Sequence, residues 1–224
     1  MIFVGDGALL WRAVRHAVDG GKTVDMVCTG GRATAPSGLG DLDVRTVDAI
    51  GPLGPEIHSA CSDGIVWSID NRFLFGPEVL DGDLTVYNIH GGPLPGYRGL
   101  PLATVAHAIL NGESEFGATL HRVDPGIDTG PVVAVQRFPI DDEDVFEDVM
   151  VELMEACHAL FTDHLDAAVD GTLVARPQPD GPSAYYGSKA VAAVPEHRDN
   201  PNYERATDLG MFEDFYPDAA AAWR

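Results

Sequence analysis

The first thirty residues alternate in a way that few folds accommodate. Met1–Val4 is a short apolar run, followed by Gly5-Asp6-Gly7. Leu9, Leu10, Ala13, Val14, Ala17 and Val18 then recur at helical spacing until Gly20-Gly21 stops them. Thr23–Thr29 reads as a strand and ends in Gly30-Gly31. Strand, glycine turn, helix, glycine turn, strand is the opening of a doubly wound α/β sheet. Further strands are expected at Val44–Val47, Gly64–Ile69, Leu84–His90, Gly117–Val123 and Pro131–Ile140. Pro101 opens a helix that Asn111-Gly112 closes, and Glu143–Val169 carries one long amphipathic stripe. The expected architecture is therefore α/β, Rossmann-like, with a mostly parallel sheet and flanking helices. Residues 1–170 make the main domain. Residues 171–224 form a short C-terminal extension, with a hairpin near 172–186 and an irregular tail, not a second domain.

Composition narrows the partners. The chain has 224 residues, and 35 acids oppose 14 bases for a net charge of −21. Nucleic acid is gripped by neutralising phosphates with Lys and Arg, so it is a poor partner for a chain with no basic run. Lys22 and Lys189 are the only lysines. A salty cytoplasm, a GC-rich genome and plain solubility all account for that bias equally well. No apolar stretch is long enough for a membrane span, and Met1-Ile2-Phe3-Val4 lacks the basic start of a signal peptide. Cys28, Cys61 and Cys157 are odd in number and scattered, which argues against a disulfide framework or cysteine-based zinc site. The expected setting is a reducing cytoplasm. A homodimer is one arrangement the sequence allows.

Two stretches carry groups able to do chemistry. Asn88 and His90 close a predicted strand and share one of its faces, about 6–7 Å apart along the backbone. Open α/β sheets place their sites at this carboxyl end. A carboxamide and an imidazole there can hold one carbonyl oxygen between them. A polar strand end capped by a loop is the plain alternative. Asp124-Pro125-Gly126-Ile127-Asp128-Thr129-Gly130 joins two strands and by itself reads most simply as a turn.

Residues 87–140 as a whole are more specific. The chain there contains Asn88-x-His90, Leu94–Gly99 (LPGYRG), Asn111–Glu113 (NGE), Gly117–His121 (GATLH) and Asp124–Gly130 (DPGIDTG). In this series and spacing the chain resembles the formyltransferases that use 10-formyltetrahydrofolate. That family includes methionyl-tRNA formyltransferase, glycinamide ribonucleotide transformylase and the sugar N-formyltransferases. The resemblance is close over this stretch, generic over residues 1–65 and faint beyond the long helix.

The resemblance implies a catalytic set of Asn88, His90 and Asp128. An amine attacks the formyl carbon, and negative charge develops on the formyl oxygen. Asn88 and His90 can donate hydrogen bonds to that oxygen. Asp128 can orient His90 or take the amine's proton through water. No metal is implied. His90, His107 and His121 lack metal-site spacing. The donor's pterin is expected between Asn71-Arg72-Phe73-Leu74 and the loop bearing Asp124, Gly126 and Ile127. Phe73, Leu74 and Ile127 would wall its flat face, although core packing explains the aromatics of this segment equally well. Arg72 would meet the folate's glutamate tail or lie in solvent.

Three departures bear on the acceptor. The family's tRNA-modifying members carry a C-terminal β-barrel, where this chain has a short acidic tail. Members acting on phosphorylated acceptors need an anion site near the first βα turn, where helix N–H groups converge; here Asp6 stands in that turn. It is expected to hold a cationic amine or to cap the helix. Finally, the family's usual Asn-x-His-Pro-Ser-Leu-Leu-Pro is replaced by His90-Gly91-Gly92-Pro93-Leu94-Pro95, which implies a reshaped acceptor pocket. Tyr97 and Arg98 are expected at its border. The expected activity is formyl transfer from 10-formyltetrahydrofolate to the amine or hydroxylamine of a small-molecule acceptor such as an amino sugar or an amino-acid-derived metabolite. The alternatives are a formyltetrahydrofolate hydrolase (whose dedicated members carry an N-terminal regulatory domain that this sequence lacks), a methionyl-tRNA formyltransferase-like enzyme, and a non-catalytic folate-binding scaffold.

Overall fold

The computed structural model describes residues 1–32 and 34–224. The elements in chain order are β1 (Ile2–Gly5), α1 (Gly7–Asp19), β2 (Met26–Thr29), β3 (Val44–Thr46), α2 (Gly54–Ala60), β4 (Ile65–Ile69), α3 (Pro77–Leu80) and β5 (Thr85–His90). There follow β6 (Arg98–Gly99), α4 (Pro101–Leu110), β7 (Glu115–Arg122), β8 (Val132–Pro139), α5 (Phe146–Val169), β9 (Tyr185–Tyr186), α6 (Ser188–Ala193), α7 (Tyr203–Thr207) and α8 (Pro217–Trp223). The chain divides into two compact units. One gathers Met1–His90, Leu120–Ala134 and His158–Gln178; the other gathers Gly91–Thr119, Val135–Cys157 and Pro179–Arg224.

The main sheet has seven strands in the order β3-β2-β1-β4-β5-β7-β8, which matches the mostly parallel α/β fold expected. Strands β1 to β5 run parallel. Every residue of β1, β2 and β4 is buried, as their largely apolar sequences require of strands covered on both faces. Strands β7 and β8 form an antiparallel hairpin in which Arg122 N–H donates to Pro131 O at 2.9 Å. Gly130 sits at its base, and a Cβ there would strike Arg122 O, so only glycine fits. Within the first unit, Ile2, Val4, Met26, Cys28, Val66 and Val86 pack one core cluster, and Trp67 meets Phe161 of α5 edge to face at 4.9 Å. The strand order reverses between β1 and β4, so their carboxyl ends at Gly5 and Ile69 flank a topological switch point.

In the second unit, α4 begins with Pro101 as expected, and β6 pairs parallel with β9. The C-terminal region departs from the expectation. No hairpin spans 172–186: Arg176 makes an isolated antiparallel bridge to Val132, and Tyr185–Tyr186 pairs with Arg98–Gly99. The tail is also not irregular. It folds into α6, α7 and α8 with 3-10 turns between them, tied by Trp223 Nε1–H to Val191 O at 3.2 Å and Tyr203 O–H to Trp223 O at 2.7 Å. Each of these helices is seven residues or shorter, under the two turns at which an apolar stripe becomes readable. Among the described residues, no helix is long and apolar enough to cross a membrane.

Candidate active site

The carboxyl ends of β4 and β5 and the loop between β7 and β8 bring three predicted residues to one place. Parallel register sets Ser68 beside Asn88. Ser68 Oγ–H donates to Asn88 Oδ1 at 2.7 Å. The Asn88 Nδ2 lies 3.0 Å from His121 Nε2 on β7. His90 Nδ1 lies 3.6 Å from one oxygen of Asp128, and His121 Nε2 lies 3.7 Å from the other. One carboxylate thus stands between two imidazoles, each 2 to 4% exposed, and one of these imidazoles holds the carboxamide.

The protonation of His121 follows from its partners. Its Nδ1 is 2.9 Å from Arg122 O, a carbonyl that only accepts, so Nδ1 carries the hydrogen. Nε2 is then the acceptor for Asn88 N–H. Burial and the neighbouring His90 hold the His121 pKa below its ordinary value, which favours this neutral form. Sequence reasoning missed His121 as a site residue. It was visible as the last residue of the Gly117–His121 element, and weighing it only as a metal ligand hid its role.

Asp128 adopts a left-handed backbone (φ +52°), a conformation that Asp tolerates better than most residues. Gln178 holds it there, its Nε2 donating to Asp128 O at 2.8 Å and to Gly130 O at 3.0 Å. Asp124 braces the other side of the loop: its Oδ1 accepts from Gly126 N–H at 3.1 Å and from the Thr129 hydroxyl at 2.6 Å. Gly126 and Ile127 complete the loop, and Ile127 leaves 43% of its surface exposed.

The predicted donor segment follows β4. Asn71 accepts from Phe73 N–H at 2.8 Å and donates back to Phe73 O at 3.0 Å, which closes the segment into a tight turn. The Phe73 ring is buried in the core cluster, as its packing alternative had it, with the Arg72 guanidinium 5.4 Å above its centre. Leu74 is 75% exposed. Leu74 and Ile127 are thus exposed apolar side chains, each beside backbone fixed by a side chain of its own segment, Asn71 and Asp124 respectively.

At the first βα turn, Asp6 is fully buried and caps α1. Its Oδ1 accepts from Gly7 N–H at 3.0 Å, Thr29 O–H at 3.1 Å and Arg32 N–H at 2.9 Å. Its Oδ2 lies 3.2 Å from Arg32 Nε. Burial pushes the Asp6 carboxyl up, but these hydrogen bonds and the Arg32 charge outweigh it and leave the pKa below its ordinary value. The carboxylate thereby fills the anion position that the helix N-terminus offers. Arg32 is half exposed and also reaches Asp70 at 3.6 Å.

Tyr97 and Arg98 belong to the second unit. The Tyr97 hydroxyl donates to Glu113 at 2.7 Å and accepts from Asn111 at 3.1 Å, while its ring stacks on Tyr186 at 5.2 Å. Burial keeps that phenol protonated far above its ordinary range. Arg98 is half-buried, and its backbone pairs with Ala184 O.

Residues 67–165 match the family model described as formyl transferase. The fold is shared with a 4-N formyltransferase from Francisella tularensis (TM-score 0.74, 19% identity, covering 92% of this chain and 87% of that one). It is also shared with an N-formyltransferase from Helicobacter canadensis, solved with folinic acid and dTDP-3-aminofucose (0.64, 19%, 84% and 71%). A third similar structure is glycinamide ribonucleotide transformylase 1 from Symbiobacterium toebii (0.66, 21%, 80% and 93%).

Proposed function

We propose that this member of the formyl transferase family, a formyltransferase, moves the formyl group of 10-formyltetrahydrofolate onto the amine of a small acceptor, with an amino sugar as the best-supported class. The observation that carries the reading is the meeting of Asn88, His90 and Asp128, with His121 between the carboxamide and the carboxylate. The donor, when bound, supplies a formyl carbon already activated for attack by an amine. Asn88 Nδ2 has two hydrogens. His121 takes one, and the second serves the formyl oxygen. His90 presents Nδ1 to Asp128, so Nε2 is the ring nitrogen suited to meet the same oxygen. Both act as donors aimed where charge develops, in a site whose imidazoles are almost dry. Asp128 balances positive charge on His90 and takes the amine's proton, directly or through water; the bond from the formyl carbon to the donor nitrogen then breaks, and the released tetrahydrofolate nitrogen takes up one proton. Asn71, Leu74, Asp124, Gly126 and Ile127 hold the donor, and Phe73 supports this segment from the core. Arg72 serves the donor's acidic tail. Asp6 acts on the acceptor side through Arg32.

The test is a screen of nucleotide-linked amino sugars, free amino sugars and simple amines with 10-formyltetrahydrofolate, read by mass. One acceptor class should gain a single formyl group with wild-type protein and none with His90→Ala. Donor consumption that proceeds at the same rate with and without every amine would instead identify a hydrolase.

A further inference from the structure

The catalytic carboxamide has a direction, and the main chain beneath it does not impose one. Asn88 Oδ1 and Nδ2 are nearly equal in size, and turning the group over would present a carbonyl to the formyl oxygen instead of an N–H. Ser68 sits beside it on β4, 1% exposed, and donates its one hydrogen to Asn88 Oδ1 at 2.7 Å. Asn88 Oδ1 is the acceptor for that hydrogen, because the other partner of Ser68 Oγ is Asn71 Nδ2 at 3.1 Å, a group that only donates. Asn71 is committed in turn, its Oδ1 to Phe73 N–H and its Nδ2 to Phe73 O. At the far end, His121 Nε2 is an acceptor, because Nδ1–H is spent on Arg122 O.

We infer that Ser68 and Asn71 are positioning residues that fix the facing of the Asn88 carboxamide and tie it to the turn Asn71–Phe73, so that the donor-side segment and the oxyanion donor are set by one hydrogen-bonded chain. A flipped Asn88 would leave the Ser68 hydrogen without an acceptor and set Oδ1 against the lone pair of His121 Nε2. Both faults are buried, and each costs more than a lost surface hydrogen bond. With the chain intact, one Asn88 N–H always faces the reacting oxygen. The role of Asn88 in catalysis rests on the function proposed above. The geometry of the relay does not.

Two near-isosteric variants test it. Ser68→Ala removes the hydroxyl. Asn71→Asp keeps the acceptor for Phe73 N–H and turns the group facing Ser68 into an acceptor, which draws the Ser68 hydrogen away from Asn88. The first readout needs no activity: the side-chain NH2 signals of Asn88 in 15N NMR, identified by their loss in Asn88→Ala, with their hydrogen-exchange rates. Both variants should speed that exchange and shift the signals while the other amide signals stay in place. The second readout is the kinetics of formyl transfer, where kcat should fall about tenfold or more and the donor KM should move less, as loss of orientation predicts. Unchanged Asn88 signals and exchange in both variants would overturn the relay. So would a raised donor KM with unchanged kcat, which would reduce the two residues to donor-site packing. A wild-type chain inert toward every amine would defeat the proposed function and leave the NMR comparison to decide the relay.

Discussion

The carboxamide of Asn88 donates to Nε2 of His121 across 3.0 Å, and the Asp128 carboxylate reaches the same nitrogen at 3.7 Å. Protonation of His121 would replace an acceptor with a second donor and turn the carboxamide away. Neutral His121 is therefore a condition for the arrangement.

Acid should destabilise the fold through this residue. Burial and His90 depress its pKa below the unfolded value of 6.5, so the unfolded chain binds the proton first as pH falls. The associated stability is complete above about pH 6.5 and drains away below it, toward the folded pKa. Thermal unfolding followed from pH 7.5 to 5 should show a fall in Tm that His121→Gln flattens. Parallel curves for the two proteins would show that His121 contributes nothing to the acid response.

Gln178 should matter to turnover although it is not expected to touch a substrate. It restrains the left-handed Asp128 by donating to two carbonyls of the loop. Gln178→Leu should lower kcat by about tenfold, since small misplacements of a catalytic group carry penalties of that order. The helix and sheet content seen by circular dichroism should stay unchanged. Wild-type kcat in this variant would mean that the loop holds its shape without the glutamine.

Removal of Asp6 should cost stability before anything else. It is the N-cap of α1 and the partner of Arg32. Asp6→Ala should lose about 1 kcal/mol or somewhat more by denaturant titration, the usual cost of an N-cap with a stranded charge added. Acceptor KM should rise, and donor binding should hold. An acceptor KM equal to wild type would confine Asp6 to capping.

Leu74 tests the donor surface. With 75% of the side chain exposed, its truncation costs the folded chain little. Leu74→Ala should leave Tm unmoved and raise the Kd of folinic acid several-fold, measured by calorimetry, as expected when apolar area covered by a ring is lost. Unaltered affinity would place the pterin elsewhere.

The frame and the three polar groups that the fold brings together were legible in the sequence for identifiable reasons. Strand β1 is an unbroken apolar run ending in glycine, β4 and β5 are largely apolar, and Pro101 marks the start of α4 to the residue, so the switch-point sheet was readable. Asn88, His90 and Asp128 stood out because several motif elements occur together. Ser68 and Gln178 did not, since each acts through a single hydrogen bond or a pair whose partner is remote in sequence. Asp6 offered two readings, and only the fold shows its carboxylate surrounded by Gly7, Thr29 and Arg32. The tail helices escaped because each gains its order from neighbours such as Val191 and Trp223 and not from its own period.

The most direct test is single-turnover formyl transfer by wild type, His90→Ala and Asp128→Asn with the best acceptor from the screen. Wild type should give a formylated product, and both variants, folded and still binding folinic acid, should be slower by at least about a hundredfold. Turnover near the wild-type rate in either variant would contradict the catalytic roles of His90 and Asp128.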